Sequence, residues 1–288
     1  MNTIGLVVNS NKGNVAETLV KLIDWLKDHN INVMMNKETA ALLGFVGEGM
    51  PTRELAQICD CIMVWGGDGT LLNCARQTAS SGTPIFGVNL GRLGFLTEID
   101  IPDLTEKMQA LIAGQYTIEE RMMLESTVIR QGQIVNRAVC LNDAVVAKGG
   151  FSRMVRLNVR VNGEFVGSFA ADGVIVASPT GSTAYSLSAG GPIVSPEVHV
   201  LLITPICPHS LSNRPIVISP DGEVEIEVLP CAGDVMLTMD GQYGVSLQNN
   251  DRVVIKRAPV KARFVKIKKT SFFTVLGEKL KEWQRGID

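Results

Sequence analysis

The sequence predicts an α/β N-terminal domain with a parallel sheet, followed by a β-rich domain. Within residues 1–100, short apolar runs alternate with segments of helical periodicity, which is typical of a parallel sheet covered by helices. From Glu125 onward, hairpin turn signals replace the helical ones. With 288 residues the chain is long enough to form two cores. We therefore predict an α/β domain at residues 1–100, a β-rich domain at 101–270, and a C-terminal segment, 271–288, that packs back on the first domain.

The N-terminal elements follow from the spacing of apolar residues. Buried strands are predicted at residues 4–8, 31–35, 61–65 and 84–89. Helices are predicted where apolar residues recur three and four positions apart, at residues 15–30, 55–59, after Thr70, and 104–112. Because the carboxyl ends of parallel strands share one edge of a sheet, ligands are expected near residues 66–70 and 89–94.

The second half is predicted to consist of hairpins. The dipeptide Asn162-Gly163 is a strong two-residue turn signal between the apolar runs 157–161 and 165–168. A similar hairpin is predicted around residues 131–133, and the pattern repeats at 221–222, 240–241 and 249–250. The last predicted helix covers residues 276–283.

Composition argues against several classes of protein. The net charge is −2, from 27 basic and 29 acidic residues, so the chain lacks the basic excess typical of nucleic-acid binders. No apolar run approaches the roughly 18–20 residues of a membrane-spanning helix, and there is no signal-peptide pattern, so we expect no membrane association and a cytoplasmic location. The six cysteines are expected to be reduced core residues, and the three histidines are scattered, so no protein metal site is predicted.

The segment 61–72 reads as a buried strand, a glycine-rich turn and the start of a helix. Glycines at 66 and 67 allow backbone angles that other residues avoid, and Thr70 is the predicted N-cap. Such a turn directs free N–H groups at an anion, usually phosphate, which we predict to be bound by Gly66, Gly67, Gly69 and Thr70. The chain contains no P-loop motif, and Leu72 stands where the dinucleotide fingerprint requires its third glycine.

Asp68 lies in the middle of this predicted phosphate site and has the wrong charge for it. Either a divalent metal lies between the carboxylate and the phosphate, or Asp68 addresses a hydroxyl that attacks the phosphate. Both interpretations indicate phosphoryl transfer. The alternative is that Asp68 only caps the turn.

Two further polar segments interrupt the β-rich half. Residues 178–188 combine many hydroxyl side chains with a single aromatic residue, Tyr185, which suits a sugar or a nucleobase better than a charged group. A helix capped by Thr180 or Ser182 would explain only part of this composition. Asn142-Asp143 lies between two apolar runs and must either be hydrogen-bonded internally or face a ligand.

Taken together, these motifs resemble those of the NAD kinase family in order and spacing. They are Gly66-Gly67-Asp68-Gly69-Thr70, the segment 89–96, Asn142-Asp143, and the run from Thr180 to Pro192. The first motif is shared with diacylglycerol kinase, sphingosine kinase and 6-phosphofructokinase relatives, whereas the Thr-Gly-Ser-Thr-Ala-Tyr run is specific. The resemblance implies a Rossmann-like N-terminal domain and a β-rich C-terminal domain, the NAD kinase/diacylglycerol kinase-like fold, with NAD in the cleft between them.

The resemblance also implies the site residues. Asp68 would be the catalytic base, or would orient the 2′-hydroxyl of the adenosine ribose. Asp143 stands where the family commonly has Glu. The residues implied to contact NAD are Asp68, Gly69, Asn142, Asp143, Arg153, Ala170, Asp172, Thr183, Ala184, Tyr185, Ser186, Leu187, Ser188, Cys207 and Gln242.

The predicted reaction transfers the γ-phosphoryl of ATP, or of a donor such as polyphosphate, to NAD. Because the glycine turn contains no Lys or Arg, we predict that a divalent ion, Mg²⁺ or alternatively Mn²⁺, enters with the donor. The resemblance suggests a homodimer or homotetramer. Two alternatives stay open: a lipid or sugar kinase that shares the first motif, and a non-catalytic NAD(P)-sensing protein.

Overall fold

The computed structural model describes residues 1–9, 15–45, 47–91, 94–97, 99–150, 154–210, 213–231, 233–267 and 271–285. It divides into two compact units. The first consists of Met1–Glu120 and Ala262–Asp288, and the second of Arg121–Lys261. Among the described residues, no helix has both the length and the apolar character needed to span a bilayer.

The N-terminal part alternates strands and helices, as predicted. Its strands are β1 (Thr3–Val8), β2 (Asn32–Met35), β3 (Cys61–Gly66), β4 (Ile85–Asn89) and β5 (Ile99–Asp100). Its helices are α1 (Ala16–Asp28), α2 (Lys37–Leu42), α3 (Thr52–Ile58), α4 (Asp68–Thr78) and α5 (Leu104–Ile112), the last preceded by a short 3₁₀ turn, Ile101–Asp103.

These strands form a parallel sheet in the order β2-β1-β3-β4, and β5 pairs with β4. All six residues of β3 are buried, because helices cover the sheet. Helix α1 packs Leu19, Leu22, Ile23 and Leu26 into the same core as β1 and β3. Gly66 pairs with Asn89, so the ends of β3 and β4 lie side by side at the carboxyl edge of the sheet. The parallel α/β arrangement predicted from the sequence is confirmed.

The remaining elements are mostly antiparallel strands. The strands are β6 (Thr117–Arg130), β7 (Gln133–Cys140), β8 (Asp143–Lys148), β9 (Val155–Val161), β10 (Glu164–Ala171), β11 (Gly173–Ala177), β12 (Leu201–Ile206), β13 (Ile216–Ile218), β14 (Val224–Val228), β15 (Val235–Met239), β16 (Tyr243–Leu247) and β17 (Arg252–Lys266). The helices are α6 (Tyr185–Ser188) and α7 (Phe272–Arg285), and a 3₁₀ turn covers Thr180–Thr183. Helix α7 belongs to the first unit, where the rings of Phe272 and Phe95 have centroids 6.2 Å apart.

The second unit contains two layers of strands. One runs β10-β9-β14-β17, the other β13-β12-β11-β8-β15-β16, and all of these pairs are antiparallel. Apolar residues of both layers, such as Val159 and Ile226 from one and Val176 and Leu237 from the other, form a common core. This arrangement is a β-sandwich.

Three of the predicted hairpin turns are present. Both central residues have positive φ at Gln131-Gly132 (50° and 80°), Asn162-Gly163 (52° and 80°) and Asp240-Gly241 (51° and 63°), as a type I′ turn requires. The hairpins predicted at 221–222 and 249–250 are wrong. The flanking strands at each of these turns belong to different layers, so the turns carry the chain from one layer to the other.

Candidate active site

The glycine turn connects β3 to α4 at the carboxyl edge of the parallel sheet. The predicted N-cap, Thr70, is wrong, because α4 begins at Asp68 and its N-cap is Gly67. The expected unusual backbone angles are also not found, since Gly67 is extended, with φ of −115° and ψ of −171°. Glycine is required at 66 for another reason: a Cβ there would collide with the Thr70 side chain.

Asp68 is held by a neighbouring backbone segment. Its two carboxylate oxygens accept hydrogen bonds from the N–H groups of Phe95 (2.9 Å) and Leu96 (3.1 Å). A Cβ on Gly94 would collide with this carboxylate, so only glycine lets the segment approach so closely. Because a carboxylate has about four lone-pair positions, two remain for other donors. Asp68 therefore keeps a fixed orientation and can still accept a hydrogen bond from a bound hydroxyl.

The neighbouring side chains make the edge of the sheet rigid. The Thr70 hydroxyl accepts a hydrogen bond from the Asn9 amide at 3.2 Å. At the end of β4, the Asn89 amide donates to the Gly91 carbonyl (2.8 Å) and to Asp100 (2.9 Å), and its oxygen accepts from the Gly91 N–H (3.0 Å). Arg92 and Leu93, part of the motif 89–96, lie outside the described residues.

In the second unit, several hydroxyls of the 178–188 run serve the protein's own structure. The Ser178 hydroxyl donates to the Leu141 carbonyl at 2.5 Å. The Ser182 hydroxyl bonds both the N–H and the carbonyl of Val194, and Ser186 bonds Thr204 at 2.9 Å. All three serines are fully buried. The hydroxyl-rich surface is therefore smaller than the sequence predicts, because composition does not show which hydroxyls point inward.

The other residues of this run are more accessible. Tyr185 and Ser188 are exposed, while Thr183, Ala184 and Leu187 are half-buried. The run folds as a 3₁₀ turn followed by the short helix α6, and neither has a side-chain cap, so the alternative of a helix capped by Thr180 or Ser182 is not supported. The accessible part consists of the phenol ring and hydroxyl of Tyr185, the hydroxyls of Thr183 and Ser188, and the apolar side chains of Ala184 and Leu187.

Asn142 and Asp143 are joined to this run by the backbone. The Ser178 N–H donates to the Asn142 carbonyl at 2.8 Å, and Asp143, the first residue of β8, pairs with Ala177 of β11. Asp143 is only 4% exposed. Burial, together with the charge of Asp240, raises the pKa of Asp143 to about 7.

Asp240 and Lys148 are two polar residues that the sequence analysis did not assign to the site. The Asp240 carboxylate accepts hydrogen bonds from the backbone N–H groups of residues 141–143. Lys148, at the end of β8, forms an ion pair of 2.7 Å with Asp172. From the sequence, the dipeptide Asp240-Gly241 predicts only a turn. The fold shows in addition that the Asp240 side chain reaches the backbone of residues 141–143.

The electrostatics of Tyr185 indicate which predicted residues lie together. Partial burial raises the pKa of the Tyr185 hydroxyl, and the groups of Cys207, Asp172 and Asp143 raise it further. These groups therefore lie close enough to the Tyr185 hydroxyl to act on it electrostatically. Cys207 follows β12, is exposed, and has a φ of 44°, which is uncommon for a residue other than glycine.

The remaining predicted site residues are Ala170, Gln242, Gly69 and Arg153. Ala170 is half-buried in β10, and its carbonyl accepts a hydrogen bond from the His209 N–H at 2.9 Å. Gln242 is exposed in the turn that precedes β16, and its N–H donates to the Met239 carbonyl at 3.0 Å. Gly69 is exposed on the first turn of α4. Arg153 lies outside the described residues.

The residues present do not form a metal site by themselves. Within the described parts of the chain there is no group of three or more His, Cys, Asp or Glu side chains that could hold a metal ion. A divalent ion would therefore depend mainly on oxygens of a bound ligand, which is common for Mg²⁺ and phosphate groups. All six cysteines are free thiols.

Comparison with known proteins covers nearly the whole chain. The family model of the ATP-NAD kinase N-terminal domain matches residues 4–116, and that of the ATP-NAD kinase C-terminal domain matches residues 141–267. The NAD kinase of Desulforamulus reducens is 71% identical over 288 residues, which are 100% of both chains. The NAD kinase of Caldanaerobacter subterraneus is 45% identical, with 98% of this chain and 100% of that protein covered.

Solved structures show the same fold. The yeast NADH kinase complexed with NADH has a TM-score of 0.88 and 26% identity, covering 98% of this chain and 88% of that one. An NAD kinase from Archaeoglobus fulgidus, solved with ATP, has a TM-score of 0.77 and 24% identity, covering 97% and 98%. With both domain models matched in order and a full-length relative at 71% identity, the chain belongs to the NAD kinase family.

Proposed function

We propose that the chain phosphorylates NAD, transferring the γ-phosphoryl group of ATP to the 2′-hydroxyl of the adenosine ribose to give NADP. The observation that carries this proposal is the 71% identity over the full length to the NAD kinase of Desulforamulus reducens. If the chain were a lipid or sugar kinase, that function would account only for the glycine turn. The match over residues 141–267 to the ATP-NAD kinase C-terminal domain favours NAD as the acceptor.

In this proposal, Asp68 orients the 2′-hydroxyl and accepts its proton. A ribose hydroxyl is a weak nucleophile, so its alignment with the phosphoryl group and the removal of its proton both accelerate the reaction. The carboxylate is suited to the role because the Phe95 and Leu96 N–H groups fix its orientation while leaving lone pairs for the hydroxyl. An intact Asp68 also argues against a protein that only senses NAD(P).

We further propose that the second unit binds the dinucleotide. The accessible residues Thr183, Tyr185 and Ser188 offer an aromatic face and two hydroxyls, while Asn142 and Asp143 offer an amide and a carboxyl group for the ribose or base. The remaining proposed contacts are Arg153, Ala170, Asp172, Ala184, Leu187, Cys207 and Gln242. Ser186 also belongs to the proposed set, but it is fully buried and its hydroxyl bonds Thr204, so a direct contact with NAD requires a local rearrangement.

The donor phosphates are proposed to lie against the glycine turn, at Gly66, Gly67, Gly69 and Thr70. Helix α4 has 11 residues and begins at Asp68, so its first N–H groups and the positive end of its dipole face this position. A divalent ion, Mg²⁺ or Mn²⁺, would be held by the phosphates with Asp68 as the nearby carboxylate. Such an ion neutralises the charge of the transferred phosphoryl group.

Three further proposals are based on the membership of the chain in the NAD kinase family. The α/β part, including α7, carries the glycine turn, and the β-rich part binds NAD. The enzyme acts as a homodimer or homotetramer. It works in the cytoplasm, which agrees with six free thiols, because a reducing compartment keeps cysteines unpaired.

The test is an assay with NAD, ATP and Mg²⁺ in which a coupled NADP-specific dehydrogenase reports product. We expect NADP formation that requires all three components, and a product phosphorylated at the 2′ position by NMR. Replacing NAD with diacylglycerol, sphingosine or fructose 6-phosphate tests the kinase alternatives. If NAD binds without any NADP being formed, the chain is a sensor and the proposed activity is wrong.

A further inference from the structure

Asp240 lies in a hairpin turn but does not behave as a turn residue. The dipeptide Asp240-Gly241 joins β15 to β16, and both residues have positive φ. Most turn carboxylates face water, whereas Asp240 is only 9% exposed. Its side chain reaches the segment that precedes β8, about a hundred positions away in the sequence.

The carboxylate of Asp240 holds three consecutive backbone amides. Its oxygens accept hydrogen bonds from the N–H groups of Leu141 (3.1 Å), Asn142 (2.7 Å) and Asp143 (3.3 Å). In return, the Asp240 N–H donates to the Asp143 carbonyl at 3.0 Å. The backbone from 141 to 143 is thus bonded to one residue from both sides, and this fixes the direction of the side chains that it carries.

We propose that Asp240 is a positioning residue for NAD binding, because its carboxylate sets the backbone that presents Asn142 and Asp143 to the dinucleotide. The inference rests on the proposed function, in which these two side chains contact NAD. Asp240 itself need not touch the ligand.

The chemistry of the contact requires a carboxylate. Three N–H groups that converge on one point form a concavity suited to an anion, and a carboxylate is an acceptor with about four lone-pair positions. In Asp240→Asn the amide oxygen can replace one carboxylate oxygen, but the NH₂ group faces further N–H donors. Asn tolerates positive φ as Asp does, so the turn itself is preserved in this variant.

A second consequence of Asp240 is electrostatic. Asp143 is buried, and the charge of Asp240 adds to the effect of burial in raising its pKa. Among the described residues, Tyr185 is a further titratable group whose hydroxyl Asp143 affects electrostatically. Removing the Asp240 charge should lower the pKa of Asp143, so the pH dependence of NAD binding shifts toward acid. A residue that only supports the fold would not cause this shift.

The experiment compares the pH dependence of KM for NAD and of kcat in the wild type, Asp240→Asn and a matched control, Asp221→Asn. Asp221 also precedes a glycine in a turn, but its side chain is 71% exposed and pairs with Arg257. For Asp240→Asn we expect KM for NAD to rise about tenfold, which corresponds to about 1.4 kcal/mol, with kcat within about threefold of wild type. The pH profile of KM should move to lower pH by about one unit, while Asp221→Asn leaves both unchanged.

Two further measurements make the test decisive. Asp240→Glu retains the charge in a longer side chain, so it should raise KM for NAD without moving the pH profile of KM. It replaces Asp240→Asn as the test variant if Asp240→Asn is poorly folded. Hydrogen exchange at the amides of residues 141–143 should accelerate about tenfold in Asp240→Asn. Unchanged KM and pH profile in a folded Asp240→Asn would overturn the proposal. A wild-type chain that makes no NADP would instead overturn the proposed function, and the exchange measurement would still test the backbone arrangement.

Discussion

Asp68 and Asp143 are both the first residue of an element, yet their surroundings differ completely. Asp68 opens α4, is half-buried, and receives two hydrogen bonds from the backbone of Phe95 and Leu96. Asp143 opens β8, is buried, and lies beside a second carboxylate, Asp240. Two identical side chains thus lie in different environments, one fixed by backbone donors and one beside a like charge.

The different environments of the two carboxyl groups suggest different roles in the reaction. A carboxylate fixed by backbone donors is suited to orient a reacting hydroxyl, since its position is independent of other side chains. A buried carboxyl group that can hold a proton near neutral pH can donate a hydrogen bond as well as accept one. We therefore expect substitutions at Asp68 to affect mainly kcat, and substitutions around Asp143 to affect mainly KM for NAD and the dependence on pH.

The largest effect is expected for Asp68→Asn. The amide retains the shape of the side chain but cannot accept the proton of the 2′-hydroxyl, so kcat should fall by about 10²–10⁴-fold. KM for NAD should change little, and circular dichroism should report an unchanged fold. Turnover is measured with the coupled dehydrogenase assay. Near-normal turnover of a folded variant would show that the comparison assigns Asp68 the wrong role.

The next largest effect is expected for Gly94→Ala. Its Cβ would collide with the Asp68 carboxylate and displace it, and a displacement of this kind can lower kcat by about 10- to 100-fold. Gly91→Ala is the matched control, because a Cβ at position 91 meets no heavy atom within 4 Å. Both variants are assayed at saturating NAD and ATP. Equal activity of the two would mean that the orientation of Asp68 is not critical.

A smaller effect concerns Asp143 and pH. Its pKa is raised to about 7, so between about pH 4 and pH 7 the folded state retains a proton that the unfolded state releases. Stability from this group is therefore present at low pH and is lost as pH rises through 7. From pH 5 to pH 8 the apparent Tm of the wild type should fall by about 5–10 °C relative to Asp143→Asn. Tm is measured by calorimetry as a function of pH. Because the three histidines contribute equally to both proteins, parallel curves of Tm against pH would contradict a raised pKa of Asp143.

The smallest effect is expected for Lys148→Met. Its ion pair with Asp172 is partly exposed, with the two side chains 30% and 34% accessible, so water screens the attraction. Loss of a pair of this kind should raise KM for NAD by about two- to fivefold through a less restrained Asp172. Lys256→Met on the exposed face of β17 is the control. Identical KM values for the two variants would contradict a role of the Lys148–Asp172 ion pair in NAD binding.

The sequence predicted the parallel sheet well because its signal is local. Buried strands such as β3 are continuous apolar runs, and α1 shows its buried face in the spacing of Leu19, Leu22 and Leu26. It missed α2, a helix of six residues with little periodicity that begins at an Asn36 cap, where the side chain accepts from the Thr39 N–H at 3.0 Å. The motifs also predicted the family, which both domain models confirm.

By itself, the sequence determined the family, because rare motifs such as the Gly-Gly-Asp-Gly-Thr turn and the Thr-Gly-Ser-Thr-Ala-Tyr run can be identified without knowledge of the fold. Only the tertiary structure decided what those residues face. Ser182 and Ser186 are identical in type to Ser188, yet two are buried and bonded internally while one is exposed. Likewise, Asp240 reads as a turn residue until the fold brings it to residues 141–143. Burial and hydrogen bonding depend on distant contacts, and no local pattern encodes them.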